Sequence, residues 1–280
     1  METELLSFEC FFFLGNEIKQ LGCGVKNMRL QPSLISTKKG TYTMKNKICL
    51  LAGIILLGLG IYLSITFLGD EKKAESSQMI VAFGDSLTYG YGDETEEGYI
   101  GRLQRKLDKT YQEKNYRITN HGVYGYKSSD VLQQMLKPNV AEDIKNADMF
   151  IIYIGTNDLL KSNGGDLYPL HHENLVEAKD IYEDKLDGIL ETLETANSDA
   201  PVILIGLYNP YPDGDRIEKY IDHWNKSIRK KAAEDKHITY ISTNELFKGK
   251  NKKQYFADSL HPNGKGYELI ADKIINNYSF

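Results

Sequence analysis

The sequence predicts an α/β fold in which a parallel sheet is covered by helices on both faces. Three observations carry this. Short apolar runs end in glycine at Met79-Ile80-Val81-Ala82-Phe83-Gly84 and at Met149-Phe150-Ile151-Ile152-Tyr153-Ile154-Gly155, as strands buried on both faces do. Segments with helical spacing of apolar residues alternate with such runs from about residue 78 to the end. All three cysteines, Cys10, Cys23 and Cys49, precede that region, so neither a disulfide nor a cysteine metal cluster can hold it together.

The elements follow in order through a domain spanning 78–280. After the first strand, Gly98 to Tyr111 places Tyr99, Leu103 and Leu107 at helical spacing. Tyr116 to Thr119 is a short strand, and Val131, Met135 and Leu136 mark a helix stopped near Pro138. Met149 to Ile154 is the strongest strand. Asn174 to Leu193 reads as a long amphipathic helix, with Ile181, Leu186, Ile189 and Leu193 available to face a sheet. Val202 to Leu207 is a strand after Pro201, Ile217 to Ala233 a helix, His237 to Ile241 a strand, and Tyr267 to Ile275 a closing helix.

The N-terminal part is of another kind. Ile48 to Leu68 reads ICLLAGIILLGLGIYLSITFL, without a charge. About 20 apolar residues span a bilayer core of roughly 30 Å. A soluble core helix has a polar face, and the apolar region of a cleaved signal is about 7–15 residues long. The expectation is one transmembrane helix in an uncleaved anchor over 44–69. Lys38, Lys39, Lys45 and Lys47 precede it, whereas Asp70, Glu71, Lys72 and Lys73 after it cancel. That asymmetry puts the N-terminus in the cytoplasm and the large domain outside the cell membrane. Residues 1–43 form a cytoplasmic extension with no sustained period. Met44-Lys45-Asn46-Lys47 reads as a natural start, which would place 1–43 outside the native protein. Residues 70–77 are small and charged, as a short flexible linker is.

Charge narrows the functions. The 280 residues carry a net charge of -5 with acids and bases interspersed, so no basic face for nucleic acid is visible. Four short segments carry chemistry, three of them at strand ends, where reactive groups of such folds collect. Gly84-Asp85-Ser86-Leu87-Thr88 puts a serine behind a glycine that permits a sharp turn, and a serine needs a base to become a nucleophile. Asp258-Ser259-Leu260-His261-Pro262 supplies a histidine with an aspartate three residues away, able to hold the imidazole in its proton-accepting tautomer. Asn120-His121-Gly122-Val123-Tyr124-Gly125 and Gly155-Thr156-Asn157-Asp158 offer backbone and amide donors for an oxyanion. His121 lies beside that third segment, while His171, His172, His223 and His237 read as surface or packing residues.

Together these blocks resemble the SGNH hydrolases, the GDSL esterase and lipase superfamily, over nearly all of 78–280. Ser86, Gly125, Asn157 and His261 match the four residues of that name, within GDSLT, GVYG, GTND and DSLHPNGKGY. The resemblance implies a flavodoxin-like three-layer α/β/α sandwich with five parallel strands in the order 2-1-3-4-5. It implies Ser86 as nucleophile, His261 as base and Asp258 as its orienting partner. The oxyanion hole would comprise the Ser86 and Gly125 N–H groups and the Asn157 amide. The α/β-hydrolase elbow G-x-S-x-G is not matched, because Thr88 stands at its second glycine.

The function expected is hydrolysis of a carboxylic ester through an acyl-enzyme, with no metal and no cofactor. Lipids, short acyl esters and acetylated sugars are the substrate classes in view. Tyr89, Tyr91, Tyr124 and Tyr126 fall near the site, either lining an acyl pocket or packing on the domain. Two other readings stand beside this one: a polysaccharide O-acetylesterase, and a non-catalytic surface binding protein on the same fold.

Overall fold

The computed structural model of the chain describes residues 44–68, 77–166, 169–210 and 215–280. It divides into two units, Met1–Leu68 and Gly69–Phe280. In the first, the helix α1 covers Met44–Leu68. Among the described residues no helix is long and apolar enough to cross a membrane, so the expected transmembrane helix is not supported. Within α1 the described side chains are Met44, Cys49 and residues 51–62, a shorter stretch than the roughly 20 residues a span needs. The remaining side chains of the expected span, the extension 1–43 and residues 70–76 of the linker lie outside the described residues.

The second unit is built on five strands: β1 (Ser77–Gly84), β2 (Asn115–Asn120), β3 (Met149–Tyr153), β4 (Val202–Ile205) and β5 (Ile238–Ile241). All pairings are parallel and the order is β2-β1-β3-β4-β5, the order the resemblance implied. Alternate side chains leave a strand on opposite faces, and both faces here are apolar. Val81, Phe83, Phe150, Ile152, Val202 and Leu204 enter one core; Ile80, Ala82, Ile151, Ile203 and Ile205 enter the other.

The helices are α2 (Ser86–Tyr89), α3 (Gly98–Thr110), α4 (Ser128–Met135), α5 (Pro138–Asn146), α6 (Thr156–Ser162), α7 (His172–Ala196), α8 (Asp215–Glu234), α9 (Asn244–Phe247), α10 (Lys252–Tyr255) and α11 (Gly264–Asn277). Helices α4, α5, α7 and α8 bury their apolar stripes in the first core, and α3 and α11 in the second. Each fully buried Leu or Ile contributes on the order of 1.5–3 kcal/mol.

Two details differ from the expected elements. Pro138 does stop α4, but it also occupies the first turn of α5, where its missing N–H costs no hydrogen bond. On α7, Ile181 is 54% exposed while Tyr182 is buried. The buried set Leu175, Tyr182, Leu186, Ile189 and Leu193 advances by 7, 4, 3 and 4 residues, which keeps one stripe; Ile181 falls off it.

Between β1 and β3 the chain reverses its direction of travel across the sheet, since β2 lies on the far side of β1. A crevice forms at the carboxyl ends of strands at such a switch point. The segments with chemistry leave the sheet there.

Candidate active site

Strand β1 delivers the serine. Asp85 follows Gly84, and its Oδ1 accepts the Leu87 N–H at 2.9 Å, capping α2. Ser86 opens that helix, and Gly90, at φ +95°, closes it by donating its N–H to Ser86 O. One turn of helix bounded in this way holds Ser86 rigidly at the sheet rim. The residue is only 4% exposed, and its Oγ lies 2.9 Å from His261 Nε2.

The histidine arrives on the loop ahead of α11. Paired segments at Phe256 and Pro262 close this loop, with Ala257 N–H donating to His261 O at 2.9 Å. Inside it, Asp258 Oδ1 accepts the N–H groups of Leu260 at 2.8 Å and His261 at 2.7 Å. Its other oxygen, Oδ2, lies 2.8 Å from His261 Nδ1. Partial burial opposes the Asp258 charge, but those two backbone N–H groups and the imidazole outweigh it and hold the carboxyl below its usual range. An ionised Asp258 at Nδ1 selects the tautomer whose Nε2 accepts a proton from Ser86. The buried Tyr208 braces the loop by donating its hydroxyl to Leu260 O at 2.7 Å.

The other two predicted residues are joined through their chain neighbours. Gly125 sits at φ +78°, a conformation that favours glycine. The Asn157 amide, in the first turn of α6, donates to Tyr126 O at 2.9 Å. An amide has two such hydrogens, so this bond also fixes where the second one points. Four residues on, Lys161 Nζ donates to Gly125 O at 2.6 Å. One face of α6 thereby grips two successive carbonyls of the Gly125 loop. Sequence reading missed Lys161; its i,i+4 spacing from Asn157 was the available signal. Behind it, the buried Asp158 accepts both the N–H of Ser128 at 3.0 Å and its hydroxyl at 2.5 Å. Burial raises the Asp158 pKa against those two donors.

Asp85, to which the sequence assigns no role, is fully buried. Loss of solvation pushes its pKa up to about 7; the Leu87 N–H opposes the rise and Asp158 adds to it. Its Oδ2 has no hydrogen-bond partner among the described residues. A near-neutral acid therefore stands directly behind the serine.

The tyrosines divide. Tyr89 and Tyr124 are largely exposed and Tyr91 is 44% exposed. Tyr91 and Tyr124 lie against the His261 ring, with centroids at 4.6 and 6.1 Å. Tyr126 instead packs against the first core. His121 pairs with Asp143 of α5 at 2.8 Å and stacks on Phe83, so it braces the β2 exit. A small, largely apolar recess, with a free volume of about 10 Å³, is lined by Thr156, Leu160, Leu207, Ile221 and Leu260 among others. It adjoins Asn157 and His261 through their chain neighbours Thr156 and Leu260.

The family model for GDSL-like lipases and acylhydrolases matches residues 82–269. The chain belongs to this family. It is a serine ester hydrolase, and it lies within the superfamily of SGNH hydrolases. Among its relatives, an uncharacterized Bacillus subtilis protein, YpmR, is 32% identical over 73% of this chain and 82% of its own. A spore germination lipase of Bacillus licheniformis is 30% identical over 69% of this chain and 92% of its own. Among solved structures, a lipase from a goat rumen metagenome shares 28% identity with a TM-score of 0.65, covering 71% of this chain and 97% of that one. An acetylxylan esterase from Geobacillus stearothermophilus shares the fold, with 20% identity and a TM-score of 0.59 over 72% of this chain and 94% of its own.

Proposed function

We propose that this GDSL-type hydrolase cleaves carboxylic esters of short acyl groups through an acyl-enzyme on Ser86. The observation that carries the reading is the unbroken relay from Ser86 Oγ through His261 to Asp258, at 2.9 and 2.8 Å. Ser86 Oγ attacks the ester carbonyl carbon as its proton passes to His261 Nε2. The carbonyl oxygen becomes an oxyanion, held by the N–H groups of Ser86 and Gly125 and the second N–H of the Asn157 amide. The intermediate collapses, the C–O bond to the alcohol breaks, and His261 returns the proton to the leaving oxygen. Water then repeats the sequence, releasing the acid and restoring Ser86. Asp258 stays ionised and stabilises the imidazolium formed in each half.

The recess supports the acyl range. Its free volume of about 10 Å³ is room for roughly one water-sized group, which suits an acetyl or similarly short acyl group and not a sixteen-carbon chain. That small size also favours the second reading, a polysaccharide O-acetylesterase. Purified full-length chain and its Ser86→Ala variant, assayed on chromogenic esters from two to sixteen carbons, test both. Turnover lost in folded Ser86→Ala establishes the nucleophile; turnover that persists there refutes the relay. A profile confined to acetate selects the O-acetylesterase, and best turnover on sixteen carbons rejects the recess as acyl site.

Attachment to a membrane with the hydrolase domain outside belongs to the same proposal. Its support is in the sequence, in the uncharged stretch 48–68 and in Lys45 and Lys47 ahead of it. Release of the protein from membranes by alkaline carbonate would count against it.

A further inference from the structure

In the relay Asp258 holds the His261 Nδ1 and Ser86 meets Nε2, and rotation about the two side-chain torsions of His261 would carry the ring out of both bonds. Contacts on its faces must prevent that, and two tyrosines make them. Tyr91 meets the imidazole at 4.6 Å with the ring planes 65° apart. Tyr124 lies at 6.1 Å and 28°, and the two tyrosine rings touch each other at 4.9 Å.

Tyr91 is the better anchored of the pair. Its N–H donates to Ser86 O at 2.9 Å, and its carbonyl accepts the hydroxyl of Tyr267 at 2.7 Å. Tyr267 is fully buried on α11, the helix that the His261 loop enters. The backbone of Tyr91 is thus pinned between the nucleophile turn and the element carrying the base. The next residue, Gly92, has φ +91°, and a Cβ there would meet Pro262 O at 2.8 Å and His261 Cβ at 3.0 Å. Only a glycine lets this segment lie so close to the histidine loop.

We propose that Tyr91 is a positioning residue for His261, its ring seated by Gly92 and by the bonds to Ser86 and Tyr267 so that the imidazole stays aligned between Ser86 and Asp258. The proposal deepens the reading above and rests on His261 being the base. It differs from a substrate-lining role in one respect. A positioning ring acts on every reaction of Ser86, whereas a lining ring acts on binding of a particular ester.

The test compares full-length wild type, Tyr91→Leu, Tyr91→Phe and Ser86→Ala in two assays. One is hydrolysis of a chromogenic acetate, resolved into kcat and KM. The other is the rate of phosphonylation by a small alkyl fluorophosphonate, which displaces fluoride at Ser86 with its base and the oxyanion donors but without binding a particular ester. Positioning predicts that Tyr91→Leu lowers kcat and phosphonylation in parallel, about three- to tenfold, the worth of one aromatic pair, with KM little changed. Tyr91→Phe, which keeps the ring, restores most of both. Unchanged phosphonylation in Tyr91→Leu with a raised KM overturns the proposal in favour of substrate lining. Equal losses in Tyr91→Phe and Tyr91→Leu overturn it too, since the ring would not be the cause. A wild type that is not phosphonylated, or a Ser86→Ala chain that still turns over, removes the relay itself and this inference with it. Because the ring is 44% exposed, Tyr91→Ser replaces Tyr91→Leu should the latter not fold.

Discussion

Replacing Asp85 by Asn isolates the cost of burying a carboxyl behind Ser86. The asparagine keeps an oxygen for the Leu87 N–H, so the cap on α2 survives, and only the ability to ionise is lost. Burial raises the Asp85 pKa from 3.8 to about 7. Between those values the folded chain holds a proton there that the unfolded chain has released. Stability contributed by this group is therefore full at low pH, falls as pH rises from about 4 to 7, and is level above that. At about 1.4 kcal/mol per pH unit, the loss over that window is about 4 kcal/mol. The sole tryptophan, Trp224, is buried in α8 against Tyr182 and reports unfolding of this unit in urea. The stability of Asp85→Asn relative to wild type should rise by several kcal/mol between pH 4.5 and pH 8. A difference that is flat to within about 1 kcal/mol would refute the reasoning, whichever chain were the more stable.

Three further outcomes are expected. Asp258→Asn can still accept the two backbone N–H groups, but its amide then faces Nδ1 as a donor and turns the imidazole to the wrong tautomer. On that account kcat/KM for a chromogenic acetate should fall by about 10³- to 10⁴-fold, and a loss below tenfold would deny Asp258 the orienting role. Asn157→Ala should lower kcat by about 100-fold or more with KM little changed; unaltered turnover in a folded variant would exclude its amide from the oxyanion hole. Lys161→Met removes the grip on Gly125 O while leaving Asn157 in place. It should lower kcat several-fold without preventing phosphonylation of Ser86, a comparison that steady-state kinetics and fluorophosphonate labelling can make.

The fold was legible because its information is local. The cores of β1, β3 and β4 are runs such as Ile80-Val81-Ala82-Phe83 whose residues are all apolar, and α3 and α8 match their periodic segments to within two residues. Short helices were not legible: α2, α6, α9 and α10 have between four and seven residues, too few to show a period. The site was legible as far as its motifs reach, since Ser86, Asp258 and His261 meet within hydrogen-bond distance. What escaped depends on partners remote in sequence. The burial of Asp85 comes from elements packed over it, the ring of Tyr91 reaches His261 only through the fold, and the pairing of His121 with Asp143 joins a strand exit to a helix 22 residues away. No spacing along the chain encodes those contacts.

The placement of Asp258 and His261 on one short closed loop has a consequence for how the enzyme tolerates disturbance. Their mutual geometry is internal to that loop, held by bonds from Asp258 to Leu260 and His261. Asp258 and His261 therefore travel as a single cassette. Warming, neighbouring substitutions or drift between relatives can shift the cassette without detuning it, and the Ser86–His261 distance alone registers the move. Failure under stress should then begin as a stretched gap between two intact halves, one carrying the serine and the other the base, and it should reverse as soon as the halves close again.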